Sequence, residues 1–227
     1  MNWDPDSTLR NALWIGGGQW AGKSTVSGIL SDRFGLTHYH YDYHNAKGHE
    51  DRRIARQFRR EGTAGERDFE QMWVTQSPQQ MATEVRLGFV ETFSFVVDDI
   101  RALTSPVPII ADGWGLRPEL VVATTDAPER MVVLVPTDDF RRRQAARLPR
   151  ATRVHAEVSD PARAQRNRLE RDRLLAADAV GRARELGVLV IEVDGSQPAE
   201  STADAVAAHF AAFLPRRLIP AGGGVRS

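Results

Sequence analysis

The stretch Ala12-Leu13-Trp14-Ile15-Gly16-Gly17-Gly18-Gln19-Trp20-Ala21-Gly22-Lys23-Ser24-Thr25 carries the most information about the fold. The apolar run Ala12 to Ile15 stops at Gly16-Gly17-Gly18, as a buried strand does on entering a loop. Beyond the loop, Val26, Ile29, Leu30 and Phe34 recur at helical spacing, and Gly35 supplies the stop. Between the predicted strand and helix, Gly17 to Ser24 fits G-x-x-x-x-G-K-[ST] without a mismatch. The spacing has a physical reason. Glycines let the backbone curl so that successive N–H groups converge on phosphate oxygens, and the helix adds its positive end. Lys23 brings a point charge for the β and γ phosphates, and the Ser24 hydroxyl is a ligand for Mg²⁺. Gly17, Gly18, Gln19, Trp20, Ala21, Gly22, Lys23, Ser24 and Thr25 are therefore the candidate residues for holding ATP or GTP.

Working outward, Leu36 to Tyr43 is aromatic and rich in strand formers, which predicts a second strand. Residues 45–75 carry many charges and predict two helices around the break at Gly62-Thr63-Ala64-Gly65. Pro78 opens a long helical stripe through Met81, Val85, Phe89, Phe93, Val96, Val97, Ile100 and Leu103. Val107–Ala111, Met131–Val135 and Val188–Val193 complete a set of five short, nearly continuous apolar strands. Helices are expected between and after them at 138–147, 161–186 and 199–214. Such strands alternating with helices predict an α/β chain whose parallel sheet is covered on both faces. Sheets of this kind bind ligands beyond the carboxyl ends of their strands. That rule directs attention to 16–24, 42–44, 112–117, 136–138 and 194–196.

A chain of 227 residues and 25.3 kDa suits one domain, taken as 1–214 with a flexible tail over 215–227. The absence of cysteine removes disulfide scaffolds, thiolate metal sites and cysteine nucleophiles together. Lys and Arg total 30 against 30 for Asp and Glu, a balance that favours neither nucleic acid nor a membrane surface as partner. Among the bases only Lys23 and Lys47 are lysine, and one of them completes the loop motif. No apolar run approaches the ~20 residues that span a bilayer, and Met1 to Asp6 has no signal-peptide pattern. A cytoplasmic protein, monomer or homodimer, is expected.

With the loop motif near the N-terminus and five strands, residues 12–213 resemble the adenylate-kinase-like superfamily of small P-loop kinases. The resemblance is specific at the loop and topological elsewhere. It implies a P-loop NTPase three-layer sandwich with sheet order 2-3-1-4-5. It also implies a helical substrate-binding insertion after the second strand, near 45–77, and an arginine-rich lid before the fifth, near 148–168. Chloramphenicol phosphotransferase, shikimate kinase and gluconate kinase resemble the chain in a further respect, an acidic residue at the end of strand two. Asp42 stands there, and the resemblance implies that it accepts the proton of an acceptor hydroxyl or holds that hydroxyl in line. The bland alternative is a carboxylate capping the next helix. The shikimate-kinase pattern has a second Asp two residues on, where this chain has His44.

Asp112, after the apolar run Val107 to Ala111, is the candidate second metal group beside Ser24, holding a Mg²⁺-bound water, or alternatively a catalytic carboxylate facing the acceptor. Arg117 is expected at the acceptor or in solvent, and Tyr43, Arg56 and Trp114 are candidate acceptor contacts. Arg166 and Arg147 are the lid candidates for neutralising transferred charge. His38 and His40 share one face of the second strand, but no cysteine or supporting carboxylate joins them at ligand spacing. Exposed rings on an edge strand are the expectation. The function expected is an ATP- or GTP-dependent, Mg²⁺-dependent kinase acting on a hydroxyl of a metabolite, nucleoside or antibiotic. The alternatives are a nucleoside monophosphate kinase, using Arg52, Arg53, Arg56, Arg59 and Arg60, and a regulatory NTPase without an acceptor.

Overall fold

The computed structural model describes residues 4, 7–63, 68–147 and 158–216. In chain order the elements are α1 (Thr8–Asn11), β1 (Leu13–Gly17), α2 (Lys23–Phe34), β2 (Thr37–His40), α3 (Tyr41–His44), α4 (Glu50–Glu61) and α5 (Pro78–Arg101). There follow β3 (Ile109–Asp112), α6 (Pro118–Thr125), β4 (Met131–Pro136), α7 (Asp138–Arg147), α8 (Pro161–Glu185), β5 (Leu189–Val193) and α9 (Ala199–His209). A π-helical turn over Asn45–His49 carries α3 into α4 without a break, and a second, Gln71–Thr75, precedes α5.

The strands form one all-parallel sheet in the order β2-β3-β1-β4-β5. Strand alternation divides the core in two. Leu13 and Ile15 of β1, with Ile110, Val132 and Leu134, pack under Val26 and Leu30 of α2 and Val206 of α9. Trp14, with Ile109, Ala111 and Val133, meets Phe89, Phe93, Val96 and Ile100 of α5 and Leu175 of α8 on the other face. Each fully buried side chain of this size contributes roughly 1.5–3 kcal/mol. Both faces are therefore dry, which is the condition an all-parallel sheet needs. The helix ends follow local chemistry. Ser77 and Gln80 make a reciprocal capping box at the start of α5, with Pro78 at its first position.

Several expectations move. The second strand stops at His40, because Tyr41 already takes helical backbone and opens α3. The third starts at Ile109, two residues late, where Ser105 caps the preceding turn through its bonds with Val107. Helix α6 has no apolar periodicity to announce it: Leu120-Val121-Val122 is a continuous run. The last helix ends at His209, and Phe210 to Phe213 return as turns. Of the expected lid, 148–157 lie outside the described residues, and 161–168 are the opening turns of the 25-residue helix α8. Ala64 and Gly65, and 217–227 of the expected tail, also lie outside them. Among the described residues no helix is long and apolar enough to cross a membrane.

Candidate functional site

The carboxyl end of β1 turns sharply. Gly17 has φ 115°, and a Cβ there would sit 2.1 Å from the Leu134 carbonyl oxygen of β4. Glycine lets the neighbouring strand come that close. The Gly18 N–H then donates to the same Leu134 oxygen at 2.9 Å. Gly22 is different: its φ is 77°, yet a Cβ there would meet nothing within 4 Å, so only the backbone angle calls for glycine. It also leaves the start of α2 without a side-chain cap, so the first N–H groups of that helix point at the loop. Lys23, the first residue of α2, is buried and reaches back across the loop, its Nζ donating to the Gly18 carbonyl at 2.7 Å.

Beside the loop, β3 ends at Asp112, which is fully buried. Ser24 Oγ donates to its Oδ2 at 2.6 Å. His38 Nε2 lies 2.7 Å and His40 Nδ1 3.1 Å from its Oδ1. Burial pushes this carboxyl up, but the hydrogen bonds from His38 and Ser24 and the charge of the two imidazoles outweigh it. They hold Asp112 below the usual carboxylate range. Asp42 goes the other way. Its Oδ1 is buried with no hydrogen-bond partner, and desolvation raises its pKa against the opposing pull of Lys23 and His40, with Asp112 adding to the rise. It is the second residue of α3, and the cap position belongs to His40 with no side-chain cap bond, so the capping alternative does not describe it.

A cavity of about 570 Å³ opens on the opposite side of the loop. Trp20, Ala21, Gly22 and Thr25 form one wall, Phe140 and Gln144 of α7 another, and Gly195 and Gln197 after β5 a third. Arg168 of α8 stands over the Trp20 ring at 5.7 Å.

The expected residues divide by position. Lys23, Ser24, Asp42 and Asp112 come together at the ends of β1, β2 and β3, with the Trp114 backbone beside Asp42. Arg117 is not in solvent. It is 2% exposed and bonded to Glu119, the Leu175 carbonyl and Asp178, tying α6 to α8. Arg56 lies over the Phe95 ring at 4.0 Å, and Tyr43 is exposed. Arg147 and Arg166 are exposed, while Arg168 of α8 stands over the ring of the loop residue Trp20. Trp73 and Trp114 flank the buried Arg171, whose guanidinium is held by Asp172. The largest change concerns His38 and His40. The carboxylate that joins them is remote in sequence: the β2–β3 register sets His40 opposite Asp112, 72 residues away.

Neither a protein-family model nor a curated protein matches the sequence.

Proposed function

We propose that the chain is a kinase that uses Mg²⁺ and ATP or GTP to phosphorylate a hydroxyl group of a small molecule. The observation that supports this reading most is the convergence of unlike charges at adjacent strand ends. An ammonium (Lys23) and an uncapped helix start lie beside one ionised carboxylate (Asp112) and one carboxyl held towards its protonated form (Asp42). Two carboxyl groups pushed apart in pKa are how one site separates a charge-holding role from a proton-accepting one.

In this reading the loop N–H groups and Lys23 bind the triphosphate, and Trp20, with Arg168 over its ring, borders the base cavity, whose size lies within the usual range for a small-molecule site. Ser24 and Asp112 offer the hard oxygen donors that Mg²⁺ takes and would hold it. When bound it neutralises charge on the triphosphate. The acceptor oxygen attacks the γ-phosphorus, the bond from that phosphorus to the β–γ bridging oxygen breaks, and the hydroxyl proton passes to the free Oδ1 of Asp42. The monophosphate-kinase alternative has less support. Arg52 pairs with Asp99, Arg53 with Glu50 and Arg60 with Glu91, while Arg52 and Arg56 lie over Phe95.

The test is incubation with ATP or GTP and Mg²⁺ against a library of metabolites, nucleosides and antibiotics, with products read by mass. The expected result is nucleotide consumption that depends on an acceptor and yields its phosphate ester. A nucleoside diphosphate made from a monophosphate supports the first alternative, and consumption indifferent to every acceptor supports the regulatory NTPase.

A further inference from the structure

We propose that His38, His40 and Asp112 form a binding site for a divalent ion of the late first transition row, such as Zn²⁺ or Co²⁺. The site follows from strand geometry. Alternation along β2 sends Tyr39 into the core and leaves His38 and His40 on the α2 side of the sheet. The register places His38 beside Ile110 and His40 beside Asp112. Because Asp112 is the last residue of β3, its carboxylate meets both rings at one point.

The three side chains already converge by hydrogen bonding, closely enough for small ring movements to set one ion among them. Ligand atoms around a small divalent ion bound at ~2.0–2.1 Å lie about 2.8–3.4 Å apart, depending on whether the geometry is octahedral or tetrahedral. Here Asp112 Oδ1 is 2.7 Å from His38 Nε2 and 3.1 Å from His40 Nδ1, and one ligand atom from each of the three residues fits within 4.8 Å. Ser24 Oγ, 3.4 Å from His40 Nδ1, is a fourth donor at the same point. Asp112 is fixed by burial, whereas the His38 and His40 side chains are 28% and 38% exposed. The rings can therefore turn by the small amount the ion requires, and the ion has a path from solvent.

The donor set selects the ion. Mg²⁺ takes oxygen and keeps its waters, so the two imidazoles add little to its binding. A borderline metal gains both nitrogens and follows the usual order of affinity, in which Zn²⁺, Ni²⁺ and Cu²⁺ exceed the earlier ions. Binding of such an ion does not rest on the kinase reading. Only one consequence does: where a nucleotide brings the proposed Mg²⁺ to Asp112 and Ser24, the two ions compete for those residues.

The test uses the full chain, dialysed against chelator and free of nucleotide, titrated with Co²⁺ and followed by ligand-field absorption. Zn²⁺ then serves as competitor. Wild type is expected to bind one equivalent with nitrogen-ligand bands that Zn²⁺ quenches and excess Mg²⁺ does not. His38→Ala and His40→Ala are each expected to weaken binding by at least ~10-fold, with the double variant losing the bands. Both side chains are part-exposed, so thermal melts should show folded variants. If either alanine variant does not fold, His38→Gln and His40→Gln take its place with the same expected loss. Bands absent from the wild type, or retained at full affinity in the double variant, would overturn the proposal. Because no nucleotide is present, failure here leaves the kinase reading standing, and failure of that reading leaves this one.

Discussion

At Asp42, burial and neighbouring charge oppose each other, and burial wins: the carboxyl is raised, with Lys23 and His40 pulling it down and Asp112 pushing with burial. A carboxyl with a raised folded pKa binds its proton more tightly folded than unfolded. Stability therefore falls as pH rises from the unfolded pKa through the folded one, and the loss is complete above it. Asp42→Asn keeps the shape and removes that loss. The variant should melt above wild type at neutral pH, and the gap should close as pH drops below the ordinary carboxylate pKa. A variant that melts lower at neutral pH would contradict the burial argument. The same change removes the proposed base, so turnover should fall by about 10²–10⁴-fold while triphosphate binding persists. Greater stability with lost activity is a signature that a merely structural aspartate does not produce. Lys23 makes a separate case. It is buried, but its ammonium donates to a loop carbonyl at the strand ends. Lys23→Ala should leave the far-ultraviolet spectrum unchanged and lower turnover by about 10²–10³-fold, in line with the loss of one charge-stabilising donor. Turnover near wild type would remove the loop from the site.

Among the elements, α8 holds the site's surroundings together. Its Asp178 receives Arg117 from α6, the Leu175 carbonyl receives a second donor of the same guanidinium, and Arg171 reaches Trp73 and Trp114. Arg117→Ala should destabilise the fold by about 2–4 kcal/mol, less than a wholly buried pair because Asp178 and Glu119 keep some solvent. Denaturant unfolding checks it, and a change below ~1 kcal/mol would mean the tie is replaceable. How far these elements can be read from the chain depends on how local their causes are. The β1-loop-α2 unit is legible because strand, glycines, lysine and helix are contiguous in sequence. The α5 stripe is legible because its buried residues Met81, Phe89, Phe93, Val96 and Ile100 repeat at helical spacing. The end of β2 is not, since Tyr41 suits a strand by propensity and is turned into α3 by tertiary packing, where it is 1% exposed. Arg117 and the pairing of His38 and His40 with Asp112 depend on partners far away in sequence, and no local pattern reports them. The β2–β3 register supplies that information, and it exists only once the sheet forms.

At the scale of the molecule, β1 lies between β3 and β4, so the loop that follows it touches both halves of the sheet. On one side stand Ser24, Asp42 and Asp112, and on the other the cavity bounded by α7 and the segment after β5. A triphosphate seated on the loop with its base in that cavity would join the central strand to edge strand β5 through Gly195 and Gln197, and to Trp20, over whose ring Arg168 of α8 stands. Binding to the folded state alone stabilises by RT ln(1 + [L]/Kd), about 2.7 kcal/mol at a concentration 100 times Kd. For a chain of this length each kcal/mol moves Tm by roughly 2–4 °C, so saturating MgATP or MgGTP should raise Tm by about 5–11 °C. Whichever of the two gives the larger shift at equal concentration is the preferred donor. Lys23→Ala should lose most of the shift. Omitting Mg²⁺ should shrink it, because Ser24 and Asp112 then have no ion to share with the phosphates. An equal shift in Lys23→Ala and wild type would place the nucleotide elsewhere on the molecule. No shift with either nucleotide would detach the cavity from the loop and leave the strand ends with a different ligand.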